Sequence, residues 1–116
     1  MPDGWTVRRQ AGLVEARSGD AVVSVAVTAL AKPFRPALWD EAVKEMDARA
    51  QQFATAAGIR VERATTREVA GRRARVYVLG DDRKLAFVLQ DRRNYTLYCR
   101  HAGSACDRLF ASFRIA

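Results

Sequence analysis

The sequence predicts an α+β domain: an antiparallel sheet of about six strands, with one long helix and a short C-terminal helix packed on it. Three observations predict it. Short β-branched or alternating runs recur between turn signals. One long segment, residues 36–57, changes to a helical apolar period. Strands otherwise follow strands directly, which favours hairpins over the helical crossovers of a parallel sheet. A chain of 116 residues builds one hydrophobic core, so residues 1–116 read as one domain.

Residues 5–9 alternate weakly, Ala11–Gly12 is a turn, and residues 13–16 pair back as a second short strand. After the turn Ser18–Gly19–Asp20, residues 22–30 form a long β-branched strand with Val23, Val25 and Val27 on its more apolar face. Pro33 and Pro36 end it, and Pro36 suits the first turn of a helix, where its missing N–H is not needed. Leu38, Ala42, Met46, Ala50, Phe53 and Ala57 then recur at intervals of three and four, on one helix face with Trp39 beside it. Asp40, Glu41 and Glu45 favour the N-terminal half through the helix dipole, and Gly58 is a C-terminal stop.

A strand opens at Ile59 and Val61 and reaches about Ala64. Residues 73–79 form another, with Ala74, Val76 and Val78 on one side and Arg73, Arg75 and Tyr77 on the other. Gly80–Asp81–Asp82 turns it into residues 85–89, and residues 91–94 turn that strand into residues 95–99. Ser104 caps a helix to about residue 112, and residues 113–115 close as a final strand.

Composition narrows the function classes. A hydrophobic fraction of 49% with 28% charged residues excludes disorder and fibrous repeats. No apolar run approaches the roughly 20 residues of a membrane span. Pro2–Asp3–Gly4–Trp5 directly after Met1 lacks the basic and apolar regions of a signal peptide. The chain is then either cytosolic or the mature part of a protein whose leader was removed. No P-loop or dinucleotide fingerprint occurs. Two cysteines and one histidine do not readily make four zinc ligands at these spacings. His101 lies in sequence near Cys99, Ser104, Cys106 and Asp107, yet no nucleophile motif surrounds it, and it reads as a turn histidine. No catalytic residue, metal ligand or cofactor is expected, and binding is favoured over catalysis.

Three sets of residues are candidates for that role. Cys99 ends a strand and Cys106 opens the last helix, with Gly103 between them; a disulfide between them is expected, the alternative being two buried thiols. A bridge places the protein in an oxidising compartment, secreted or in the cell envelope; free thiols favour the cytoplasm. The net charge is +7, and Arg73 and Arg75 share one strand face with Tyr77, while Arg92 and Arg93 lie in a turn. These four arginines are candidates for anion binding, toward nucleic acid or anionic lipid, if that face is exposed, with Tyr77 and Tyr98 as aromatic companions. The alternative is a solvated sheet face with scattered ion pairs. Phe34 and Trp39 are candidates for contact with a protein partner, Trp39 either packing or exposed.

Four stretches resemble the PsbP-like superfamily, which includes Mog-type Ran-binding proteins and bacterial DcrB-type and LpqN-type proteins. Pro2–Asp3–Gly4–Trp5 is similar to its P-x-G-W opening, and the long helix over 37–57 follows the first strands. Residues 69–74, Val-Ala-Gly-Arg-Arg-Ala, resemble a strand opening of the form x-G-x-x-A. Residues 109–115, Leu-Phe-Ala-Ser-Phe-Arg-Ile, resemble the closing pattern with Ser-Phe at its centre. The strand that usually precedes Gly–Trp is missing, which implies a trimmed N-terminus. The resemblance covers nearly the whole chain and implies an α+β binding or adaptor domain with no shared catalytic residue. It names no partner. The leading expectation is a non-enzymatic, secreted or envelope-associated binding domain. The rivals are a cytosolic adaptor or chaperone for a client segment, and a polyanion binder.

Overall fold

In a computed structural model of the chain, which describes residues 4–114, three hairpin-linked strands precede the long helix and four follow it. The strands are β1 (Thr6–Gln10), β2 (Leu13–Ser18), β3 (Ala21–Ala29), β4 (Val61–Val69), β5 (Arg72–Leu79), β6 (Arg83–Gln90) and β7 (Arg93–Arg100). They form one sheet in the order β1-β2-β3-β7-β6-β5-β4, with every pair antiparallel. The sheet therefore has seven strands, not about six. Helix α1 (Trp39–Ala57) lies in the β3–β4 connection, and α2 (Ser104–Ser112) follows β7. The final strand expected over 113–115 does not form at Phe113 and Arg114, and Ile115 lies outside the described residues. Phe113 instead packs on Tyr95, with ring centroids 5.6 Å apart.

Turn chemistry sets the hairpins. In the three-residue connection from Leu79 to Arg83, Asp81 and Asp82 both adopt positive φ, a conformation that aspartate tolerates in tight turns. Gly58 ends α1 at φ 71°; its N–H reaches Thr55 O at 3.1 Å, while Ile59 N–H reaches Ala54 O at 2.9 Å. A β-carbon would make that left-handed cap costly. The first turn of the long helix is a 3-10 turn, Pro36–Leu38, and the α-helix begins at Trp39.

Both sheet faces are covered. On one face, Trp39, Met46 and Ala50 of α1 pack on Tyr77, Leu79, Leu85, Phe87 and Leu89. On the other, Cys106 and Phe110 of α2 pack on Ala74, Val76, Ala86, Val88, Tyr95, Leu97 and Cys99. A strand buried on both faces reads as a continuous apolar run, and Leu85 to Leu89 in β6 is such a run. Each large side chain buried fully here, such as Leu97, contributes about 1.5–3 kcal/mol relative to exposure.

The buried face of α1 differs from the sequence expectation. Trp39, Met46, Ala50 and Ala54 are buried, whereas Leu38 is 39% and Phe53 37% exposed, and Ala57 is exposed. Trp39 lies seven residues before Met46, nearly two helical turns, and so shares its face. Leu38 belongs to the 3-10 turn, whose three-residue period takes it out of that phase. Phe53 lies edgewise on Tyr98, with centroids 5.4 Å apart.

Candidate functional site

The cysteine pair is built by the β7–α2 corner. Cys99 is in the last turn-facing residues of β7 and Cys106 in the first turn of α2, their Cα atoms 5.7 Å apart and their sulfurs bonded. Both residues are buried. A second tether lies beside them. His101 Nε2 is 3.1 Å from Asp81 Oδ1, and the His101 backbone N–H donates to Asp82 O at 2.9 Å. Arg83 donates to Asp81 Oδ2 at 3.2 Å and to the Tyr98 hydroxyl oxygen at 3.3 Å. The hydrogen bond with His101, then that from Arg83, holds the Asp81 carboxyl below the usual aspartate range. His101 thus ties the β5–β6 turn to the disulfide corner, and the two sulfurs beside it carry no free thiol.

Arg73 and Arg75 do share a strand face with Tyr77, but α1 covers that face. Arg75 donates from Nε and Nη2 to the two carboxylate oxygens of Asp47 at 2.9 and 3.2 Å, and from Nη1 to Thr66 at 3.2 Å. The Tyr77 hydroxyl donates to Asp47 Oδ1 at 2.6 Å, and Tyr77 is 1% exposed. Arg75 and Tyr77 therefore anchor α1 to the sheet, and of the three residues that would form a stripe on an exposed face Arg73 alone is exposed. The Arg73 guanidinium lies 5.2 Å from the Trp39 ring centroid, in cation–π geometry.

Burial raises the Asp47 pKa, but the hydrogen bonds from Arg75 and Tyr77 outweigh it and leave the carboxyl below its ordinary value. Burial first, and then the bond to Asp47, push the Tyr77 hydroxyl far above its ordinary range. A carboxyl with a depressed folded-state pKa stabilises the fold fully above its unfolded pKa, about 3.9, and loses that contribution as pH falls through the folded value. Wild-type Tm should therefore decline below about pH 4 more steeply than that of Asp47→Asn, and the gap between them should narrow with acidification. Thermal unfolding followed across pH 2–7 measures it; parallel curves would show that Asp47 is not the titrating group.

The remaining candidates meet at one end of the sheet. The Phe34 N–H donates to Asp91 O at 2.6 Å and the Leu30 N–H to Arg92 O at 2.7 Å, which docks the β3–α1 connection on the β6–β7 turn. Phe34 is half-buried and meets Trp39 edge-on, centroids 6.3 Å apart, while Trp39 itself is 9% exposed. Trp39 is thus a packing residue, and the accessible aromatic is Phe34. Arg92 and Arg93 are exposed beside it, and Lys32 and Arg35 flank it in sequence. None of Lys32, Arg35, Arg73, Arg92 or Arg93 forms an ion pair among the described residues. Between the connection and α1 opens a notch of about 450 Å³, its walls including Leu30, Pro33, Phe34, Leu38, Ala42 and Leu89. Glu41, Glu45 and Arg49 stand on its helix side.

Of the sequence candidates, Phe34, Arg73, Arg92 and Arg93 share this end; Arg75 is committed to α1 and the cysteines lie at the disulfide corner. Leu30, Leu38 and Lys32 complete the notch and were not among those candidates. The run of Pro33 and Pro36 around Phe34, which holds the connection extended, is the sequence signal for it. Among the described residues no group of three or more His, Cys, Asp or Glu side chains could hold a metal ion, and no helix is long and apolar enough to cross a membrane.

No family model and no curated protein matches the chain. Among solved structures, the chain is similar to the solution structure of cyanobacterial PsbP (CyanoP) from Synechocystis sp. PCC 6803. The TM-score is 0.62 at 15% identity, over 94% of this chain and 76% of that one. At that identity the likeness is one of fold. The chain has a PsbP-like fold.

Proposed function

We propose that this chain is a non-catalytic binding domain that docks a protein segment at the end of the sheet carrying Phe34, Arg92 and Arg93. The observation that carries the proposal is the notch beside Phe34 together with the cations around it that have no acidic partner. Protein interfaces place an aromatic anchor and a pocket at the centre, with charge at the rim. Lys32, Arg35, Arg92 and Arg93 favour a segment with acidic residues flanking an apolar one, and they speed its approach. The bonded cysteines support an oxidising compartment, secreted or in the cell envelope. Kinship with the DcrB-type, LpqN-type and Mog-type proteins is part of this proposal and is supported by the Gly4–Trp5 opening, whose Trp5 packs on the core under α2.

The test is affinity capture from the source organism with wild-type protein, Phe34→Ala and Arg92→Ala/Arg93→Ala. Both variants should keep the wild-type Tm within a few degrees and recover a specific partner at least about tenfold less well, since an anchor contributes 2 kcal/mol or more. Equal recovery of every captured protein by all three would remove this end as the docking surface. Recovery of nucleic acid alone, lost steeply with salt, would instead favour polyanion binding.

A further inference from the structure

Among the described residues three side-chain atoms are buried without a partner, Arg83 Nε, Gln90 Oε1 and Asn94 Oδ1, and of these residues Asn94 is the one buried as a whole. It is the second residue of β7, on the face under α1, and is 3% exposed. Its amide nitrogen donates to Thr96 Oγ1 at 3.3 Å. Its amide oxygen, Oδ1, is buried with no hydrogen-bond partner. A buried acceptor left unpaired costs about 1–3 kcal/mol, so native folds rarely retain one without a use. Asn94 lines a small cavity of about 30 Å³ together with Leu30, Ala42, Met46, Phe87 and Leu89, and with the helix residues Glu45 and Arg49. Leu30, Ala42 and Leu89 are also walls of the 450 Å³ notch, so the cavity is the notch's inner neighbour.

We propose that the notch takes a tyrosine side chain of the bound segment, whose ring lies between Leu30, Ala42 and Leu89 and whose hydroxyl donates to Asn94 Oδ1. This deepens the reading above and rests on it. A cavity of about 30 Å³ has room for a group the size of one water molecule, such as a hydroxyl. It has no room for an indole. A phenylalanine would leave Asn94 Oδ1 unpaired, whereas tyrosine joins an apolar ring to one donor at its tip.

The experiment titrates the 116-residue protein with 4-methylphenol and with toluene, the side-chain analogues of tyrosine and phenylalanine, followed by NMR. The ratio of their affinities in wild type is compared with the ratio in Asn94→Leu, which cancels the difference in hydrophobicity between the probes. 4-Methylphenol should shift the Leu30, Ala42, Leu89 and Asn94 signals, and its advantage over toluene should fall about 3–10-fold in Asn94→Leu. Asn94→Asp keeps an acceptor and should retain the advantage. If Asn94→Leu does not fold, Ala42→Leu, on a half-buried helix position, should block both probes. An unchanged ratio, shifts confined to another surface, or no binding of 4-methylphenol to wild type overturns the proposal. Those outcomes leave the dependence of partner capture on Phe34, Arg92 and Arg93 standing. Loss of that dependence, with the phenol preference intact, would instead remove the protein-docking reading and keep the pocket.

Discussion

Asp47→Ala should lower the unfolding free energy by about 2–3 kcal/mol, a large share of the 5–15 kcal/mol typical of a domain. The carboxylate accepts three hydrogen bonds, two from Arg75 and one from Tyr77, and joins α1 to β5. Removing it strands a hydroxyl that is buried with Tyr77 and a guanidinium whose side chain is 18% exposed. The Asp47 side chain is 41% exposed, so water can enter and the cost stays below the 3–5 kcal/mol of breaking a fully buried pair. Tyr77→Phe, which strands no charge, should cost about 1 kcal/mol. The double variant should cost less than the sum, because both substitutions act on one network. Urea unfolding of the three variants measures this. Strict additivity would show that Tyr77 and Asp47 do not act together.

Replacing both cysteines by alanine should cost a similar amount, about 2–3 kcal/mol, from the unfolded state's regained freedom across a separation of seven residues. For a domain of this size that is a fall in Tm of about 10 °C. The loss should be greatest in the α2 corner. Cys106 and Phe110 are the buried residues of α2, and without the bridge the covalent link from α2 to β7 is the short turn at His101–Gly103. Hydrogen exchange of the α2 amides should accelerate more than that of β6 and β7, since local opening follows the weakest anchoring. Uniform acceleration throughout the sheet would mean that the disulfide restrains the whole chain rather than this corner.

Much of this was legible in the sequence, and the gaps have physical causes. The order of three strands, a helix, four strands and a helix followed from apolar period and turn residues, because those are local properties of the chain. The spacing of Cys99 and Cys106 across one turn pointed to the bond that the structure shows. The alternation of Arg73, Arg75 and Tyr77 against Ala74, Val76 and Val78 marks the two faces of β5. What covers each face is a tertiary fact, and α1 covers the arginine face. Arg75 is tolerated under the helix because Asp47 meets it, while Arg73 stays exposed beside Trp39, and no local pattern announces that difference. A period counted from Leu38, a residue of the 3-10 turn, puts Trp39 beside the apolar face. Asn94 was read as part of a polar turn. Its burial arises only because Ala42 and Met46, some fifty residues earlier in the chain, lie over the start of β7.

The claim that the Phe34 end of the sheet is the docking surface can be tested without knowing the partner. A photo-cross-linking amino acid is placed at Leu38 in one variant and at Phe53 in another, and each protein is irradiated in its native compartment. The two positions are matched in exposure, 39% and 37%, yet stand fifteen residues apart along one helical segment, about 20 Å. A discrete adduct from position 38 and none from position 53 is the expected result. Adducts of equal yield from both positions, or from position 53 alone, would contradict the account.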